Sequence, residues 1–313
     1  MPELDLRVEI GSLSLKNPTI LAAGILGTTA GSLIRIASLG AGAVVTKSIG
    51  SKPREGYPNP VIVQMEFGLL NAMGLPNPSY KEFKEEIKRV KKAKVTVIAS
   101  IFGGSVEEFV EVAIGICKAK PSALELNLSC PHAKGYGADI GIDPELVRKI
   151  TRAVKKEVKV PVWVKLTPNV TDIVEIGRAA ERGGADAIVA INTLRGMAID
   201  LESGYPILSN KIGGLSGKAL KPVAIRCVYE LYENLNIPII GVGGISNYRD
   251  ALEFIMAGAI AVQIGTAVYS DLTIFHQICS GIKSYLMEKK CTLEEIRGKA
   301  HGVRGYNLET HKR

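Results

Sequence analysis

The sequence predicts a (β/α)8 TIM barrel of the α/β class, and three observations carry that prediction. Short apolar runs rich in Val and Ile recur eight times, segments with helical spacing of apolar residues separate them, and glycines gather after the seventh and eighth runs. Near-continuous apolar strands alternating with amphipathic helices specify a parallel sheet covered by helices. Eight such units in a chain of 313 residues match a closed barrel.

The strands are expected at residues 19–24, 43–48, 95–102, 123–130, 162–167, 187–192, 238–243 and 261–266. Between them, Val106, Phe109, Val110, Ala113, Ile114 and Cys117 step by three and four, which places one apolar stripe on a helix. Further helices are expected over 144–156, 172–182, 222–233, 248–256 and 271–287. An open, doubly wound sheet would instead need a Gly-rich fingerprint at the first strand-to-helix turn. Ala22-Ala23-Gly24-Ile25-Leu26-Gly27 lacks that fingerprint. The glycines stand at Gly241-Val242-Gly243-Gly244 and Gly265-Thr266, where barrels commonly bind a phosphate.

Residues 6–9 and 14–16 flank Gly11 and predict an N-terminal β-hairpin that closes the barrel bottom. After the second strand, residues 50–80 carry five prolines and no clear periodicity, the mark of a functional insertion. The basic run from Lys88 to Lys94 shares its stretch with Glu82, Glu85 and Glu86, as on the solvated face of a helix. No linker interrupts the pattern, so residues 1–313 are expected to form a single domain.

Composition narrows the function classes. With 39 Lys+Arg against 31 Asp+Glu the net charge is +8, and its distribution favours small anions over nucleic acid. No run approaches the roughly 18 apolar residues of a membrane span, and the first nine residues are charged, so a cytoplasmic chain is expected. Five cysteines without a C-x-x-C pair argue against a disulfide framework and against an internal metal or iron–sulfur site. Cys117, Cys227 and Cys279 fall on apolar helical stripes, and Cys291 precedes Thr292, a helix cap with Glu295 three residues on.

In a barrel the active site lies at the C-terminal ends of the strands. Thr46-Lys47-Ser48, Asn127-Leu128-Ser129-Cys130, Lys165 and Asn192-Thr193 all fall there. Taken singly, a snorkelling lysine, a turn asparagine and a buried thiol each have an ordinary packing role. Two lysines, two asparagines and a thiol in one mouth call for an anion to meet the buried charge. Pro131 ends the strand after Cys130, and a segment with three glycines, His132 to Gly141, resembles a lid under which the thiol could act as a base. FMN fits these residues, with its phosphate on the glycine turns and a lysine near N1/O2; pyridoxal phosphate and a sugar phosphate remain open on residues alone.

Seven segments resemble class 1 dihydroorotate dehydrogenase. They are Thr46-Lys47-Ser48-Ile49, Asn71-Ala72-Met73-Gly74-Leu75-Pro76-Asn77-Pro78, Asn127-Leu128-Ser129-Cys130-Pro131, Ile191-Asn192-Thr193, Gly214-Leu215-Ser216-Gly217, Gly241-Val242-Gly243-Gly244-Ile245 and Ile264-Gly265-Thr266-Ala267. The stretch from Gly196-Met197-Ala198-Ile199-Asp200 onward is similar to the 1B subclass.

The resemblance implies an FMN barrel that oxidises (S)-dihydroorotate to orotate in pyrimidine (UMP) biosynthesis, with Cys130 as the base at C5 and a hydride passing from C6 to flavin N5. It implies substrate binding by Lys47, Asn71, Ala72, Met73, Gly74, Leu75, Asn127, Asn192 and Thr193. FMN contacts are implied for Ala23, Lys47, Ser48, Ser100, Asn127 and Lys165, and further along for Ile191, Gly217, Gly243, Gly244, Gly265 and Thr266. The family often has Ser at the position of Ala23 and Asn at that of Ser100, which leaves the Ser100 contact with the shortest reach. No metal is implied in this chain. Members of the 1B subclass pair with a subunit that carries FAD and a [2Fe–2S] cluster and serves NAD, so a homodimer core or a heterotetramer is expected; a 1A-like homodimer using fumarate is the alternative. The related barrel of dihydropyrimidine dehydrogenase shares the Asn-Leu-Ser-Cys-Pro-His run but acts on rings without a carboxylate.

Overall fold

The computed structural model describes residues 5–129 and 140–302. The chain opens with a hairpin of β1 (Val8–Ile10) and β2 (Leu13–Leu15). There follow β3 (Thr19–Leu21), α1 (Ala30–Ser38), β4 (Ala43–Val45), β5 (Ile62–Met65), β6 (Gly68–Asn71), α2 (Tyr80–Lys92), β7 (Val97–Ile101) and α3 (Val106–Cys117). Next come β8 (Ala123–Asn127), α4 (Pro144–Glu157), β9 (Val162–Leu166), α5 (Ile173–Arg182), β10 (Ala187–Ala190), β11 (Leu194–Gly196) and β12 (Gly213–Ser216). Then follow α6 (Lys221–Asn234), β13 (Ile239–Val242), α7 (Tyr248–Met256), β14 (Ala261–Ile264), α8 (Ile274–Lys289) and α9 (Leu293–Ile296).

Eight parallel strands close the barrel in the order β3, β4, β7, β8, β9, β10, β13, β14 and back to β3. These are the eight expected strands, each shorter than the run read from the sequence; β7 and β13 also begin later, at Val97 and Ile239. Strand residues alternate between two environments, as pleating requires. Leu21, Val44, Ile101 and Leu126 face the helices, whereas Ile20, Val45, Ile98, Trp163 and Val189 fill the interior. Ile10 and Leu15 of the hairpin join that interior cluster, so the hairpin closes the bottom as expected. Each large aliphatic side chain so buried contributes about 1.5–3 kcal/mol.

The helices begin where capping chemistry dictates. Asp143 accepts from the backbone N–H groups of Glu145 and Leu146, Pro144 takes the first turn, and Val147, Ile150, Thr151 and Val154 form the buried stripe of α4. The basic run behaves as expected: α2 buries only Phe83, Ile87 and Val90 and pairs Lys88 with Glu85 in solvent. Helix α1 escaped the sequence reading, although Thr29 caps it and Leu33, Ile36 and Ala37 carry its stripe.

The insertion at 50–80 is more ordered than its prolines suggest. It contains the β5–β6 hairpin, and β6 pairs with β12 to give an antiparallel sheet in the order β11, β12, β6, β5. A Cβ on Gly68 would stand 1.8 Å from the Ser216 carbonyl oxygen, so only glycine allows these two strands to meet there.

Candidate active site

A cavity of about 1000 Å³ opens at the C-terminal end of the barrel, walled on one side by the four-stranded sheet. Its floor is polar. Lys165 on β9 stands in register with Asn127 on β8, and both side chains are more than nine-tenths buried.

The asparagines and serines of the mouth are wired together. Asn127 Nδ2 donates to Ser48 Oγ at 2.9 Å, Ser48 Oγ lies 3.0 Å from Ser100 Oγ, and the Ser100 N–H donates to Thr46 Oγ1. On the other side Ser129 Oγ donates to Asn127 Oδ1 at 2.9 Å, and Asn192 Nδ2 donates to Ser129 Oγ at 2.8 Å. Asn192 Oδ1 in turn accepts from the Thr193 N–H. These bonds fix which amide edges point where, and a network with every member satisfied is rigid.

Lys47 follows β4, is 8% exposed, and lines the cavity with its backbone N–H held by the Gly27 carbonyl. Asn71 reaches the cavity from the end of β6 while its Nδ2 donates to the Gly214 carbonyl across the sheet. Met73, Gly74 and Leu75 continue the same wall, Gly74 and Leu75 both at positive φ. Ala72 points away: it is fully buried, packs beside Leu70 and Leu208, and its N–H is bound to the Val61 carbonyl.

The glycine turns line the same cavity. Gly217, Gly243 and Gly244 have φ of +97°, +135° and +76°, and a Cβ on Gly244 would lie 2.8 Å from the Lys221 backbone nitrogen. These turns therefore come together only without side chains, leaving a backbone cradle of the kind that takes a phosphate. Gly265 and Thr266 complete it, with Thr266 Oγ1 donating to Ser216 Oγ at 2.8 Å. Ala23 and Ile191 also line the cavity; Ser100 is fully buried beneath Ser48 and does not. Cys130 and the segment 131–139 lie outside the described residues.

Two further residues adjoin this site and were not singled out in the sequence. Glu125 and Gln263 sit beside Lys165 inside the barrel. A charged or amide residue inside an apolar strand was the available signal for both. Among the described residues no cluster of His, Cys, Asp or Glu is placed to hold a metal ion. The remaining described thiols sit apart from the cavity, and burial pushes those of Cys117 and Cys227 up to about 11.

Barrel, polar floor and glycine cradle define a (β/α)8-barrel enzyme that works at its C-terminal face. Residues 5–286 match the family model described as dihydroorotate dehydrogenase. A protein of Methanocella arvoryzae named dihydroorotate dehydrogenase B (NAD(+)), catalytic subunit, is 64% identical over 94% of this chain and 97% of its own length. The protein of the same name from Methanocaldococcus jannaschii is 54% identical over 96% of this chain and all of its own length. The crystal structure of DHODH from Eimeria tenella in complex with ferulenol shares the fold, with a TM-score of 0.85 at 23% identity over 97% of this chain and 90% of that one. This chain belongs to the dihydroorotate dehydrogenase family, and its resemblance to class 1B is borne out. No helix among the described residues is long and apolar enough to cross a membrane.

Proposed function

We propose that the chain is the FMN-binding catalytic subunit of a class 1B dihydroorotate dehydrogenase, oxidising (S)-dihydroorotate to orotate for UMP synthesis in the cytoplasm. The observation that carries this reading is one cavity lined by a backbone cradle and by Lys47, Lys165 and three asparagines. The cradle suits FMN: a Cβ at Gly243 or Gly244 would meet Ala224 or Lys221 of α6 at under 3 Å, so only glycine lets this turn pack against α6 and present backbone to a phosphate. When bound, FMN supplies the acceptor for the hydride that leaves C6.

The chain's own residues do the rest. Cys130 takes the C5 proton as its thiolate; Lys47, Asn71 and the Met73–Leu75 wall hold the carboxylate end, with Ala72 packed behind them. Asn127, Asn192 and Thr193 pair with the edges of the flat ring, and their mutual bonds hold that pattern before substrate arrives. Ser48, Lys165, Ile191 and Ala23 line the flavin side, with Ser100 supporting Ser48 from below.

The relatives' names support a second subunit. We assign it FAD and the [2Fe–2S] cluster, since no cysteine spacing in this chain suits a cluster, and expect a heterotetramer built on a homodimer of this chain. Copurification from the native cell with flavin and iron analysis tests both parts. FMN on this chain with FAD and iron in a stoichiometric partner is the expected result. Preparations that hold no FMN even after reconstitution would overturn the proposal, and an FMN-only homodimer active with fumarate would replace the partner.

A further inference from the structure

Directly beneath the cavity the barrel interior holds a carboxylate that the proposed reaction does not use. Glu125 precedes Asn127 by two residues on β8, so both face inward, but Glu125 lies one layer deeper and is fully buried. Its Oε2 accepts from Gln263 Nε2 at 2.6 Å, and its Oε1 finds no hydrogen-bond donor. Lys165 Nζ lies 3.5 Å from that same Oε1 and donates to Gln263 Oε1 at 3.2 Å. Gln263 thus bridges the ion pair, its amide nitrogen on the carboxylate and its amide oxygen on the ammonium.

A carboxylate sealed inside a barrel is strongly unfavourable without a cation, and a direct hydrogen bond to Lys165 would satisfy both groups. The observed geometry stops short of that bond. Lys165 instead donates to Gln263 at the cavity floor.

We propose that Glu125 and Gln263 are positioning residues for Lys165, setting the height of its ammonium and the share of its charge that reaches a cofactor in the cavity. The inference rests on the FMN reading above. The carboxylate offsets part of the lysine charge, so its removal makes the floor more positive and favours the reduced, more negative flavin. Loss of the Gln263 bridge acts in the opposite sense, because Lys165 then drops onto Glu125 and its field at the cavity weakens.

The test is the midpoint potential of FMN bound to wild type, Glu125→Gln and Gln263→Leu, measured by dye-coupled reduction without substrate. Glu125→Gln is expected to shift the oxidised–reduced equilibrium about tenfold toward reduced, ~30 mV upward for a two-electron couple. Gln263→Leu is expected to shift it downward. Opposite signs support the brace; either variant matching wild type, or both moving the same way, overturns it. If Glu125→Gln does not fold, Gln263→Leu decides alone: a lower potential supports the brace, and an unchanged or higher one overturns it. A wild-type protein that takes up no FMN would instead overturn the functional reading itself.

Discussion

Asn192 and Ser129 are joined across the barrel mouth: the asparagine amide donates both to the serine hydroxyl at 2.8 Å and to its carbonyl at 3.2 Å. The serine hydroxyl donates in turn to Asn127 Oδ1, so one buried side chain orients two proposed substrate-binding amides. Ser129→Ala removes two hydrogen bonds, one to each asparagine, and should cost about 2 kcal/mol of stability. kcat/KM for dihydroorotate should also fall, about tenfold, because both amides lose their orientation. Denaturant unfolding and steady-state kinetics on the same preparation check this; kinetics like the wild type's would show that the relay does not orient the amides.

Lys165 answers a buried charge. Lys165→Met leaves Glu125 sealed without its cation, and breaking a pair of this kind costs about 3–5 kcal/mol. Adding Glu125→Gln should restore much of that loss, since the residual pair is neutral. Urea unfolding of the two single variants and the double variant measures the coupling, and strict additivity would contradict the pairing.

Gly68 is where the insertion meets the sheet. Gly68→Ala places a carbon against the Ser216 carbonyl, and the strands must part. The barrel strands are untouched, so the melting temperature should change little while KM for dihydroorotate rises at least about tenfold through loss of the Asn71 wall. Limited proteolysis should also cut faster between residues 50 and 80. Unchanged cleavage and KM would mean that the sheet yields without affecting the site.

Asp250 contributes a pH dependence. Burial pushes its carboxyl up, but Lys221 and the Ser246 N–H and hydroxyl outweigh burial and hold it below the usual aspartate value. A carboxylate with a depressed folded-state value stabilises the fold above its unfolded value, about 3.9, and that stability is lost as pH falls through the folded value. Lys221 also backs the Gly244 turn, so the loss falls on the cradle. Asp250→Asn should therefore flatten the acid limb of a stability–pH curve below about pH 5 while leaving the alkaline limb in place. An acid limb as steep as the wild type's would assign it to other carboxylates.

The legibility of the molecule follows from the range of its interactions. The eight strands were readable because each is an apolar run of its own, and Lys165 and Asn127 stood out at strand ends. The four-stranded sheet was not readable: β5 and β6 are half exposed, and their partner is far along the chain, Asn71 pairing with Gly214. Glu125 and Gln263 were visible as polar residues in apolar strands, but their shared purpose is carried by a contact spanning 138 positions. Ser100 likewise has a partner that the sequence does not show: its hydroxyl lies 3.0 Å from that of Ser48.

The central claim is that the cavity oxidises a ring bearing a carboxylate, and anaerobic mixing of the FMN-loaded protein with substrate tests it most directly. Dihydroorotate should bleach the flavin absorbance, dihydrouracil should leave it intact, and Cys130→Ala should retain FMN yet lose most of the bleaching. Flavin that stays oxidised with dihydroorotate, or that responds only to dihydrouracil, would contradict the account.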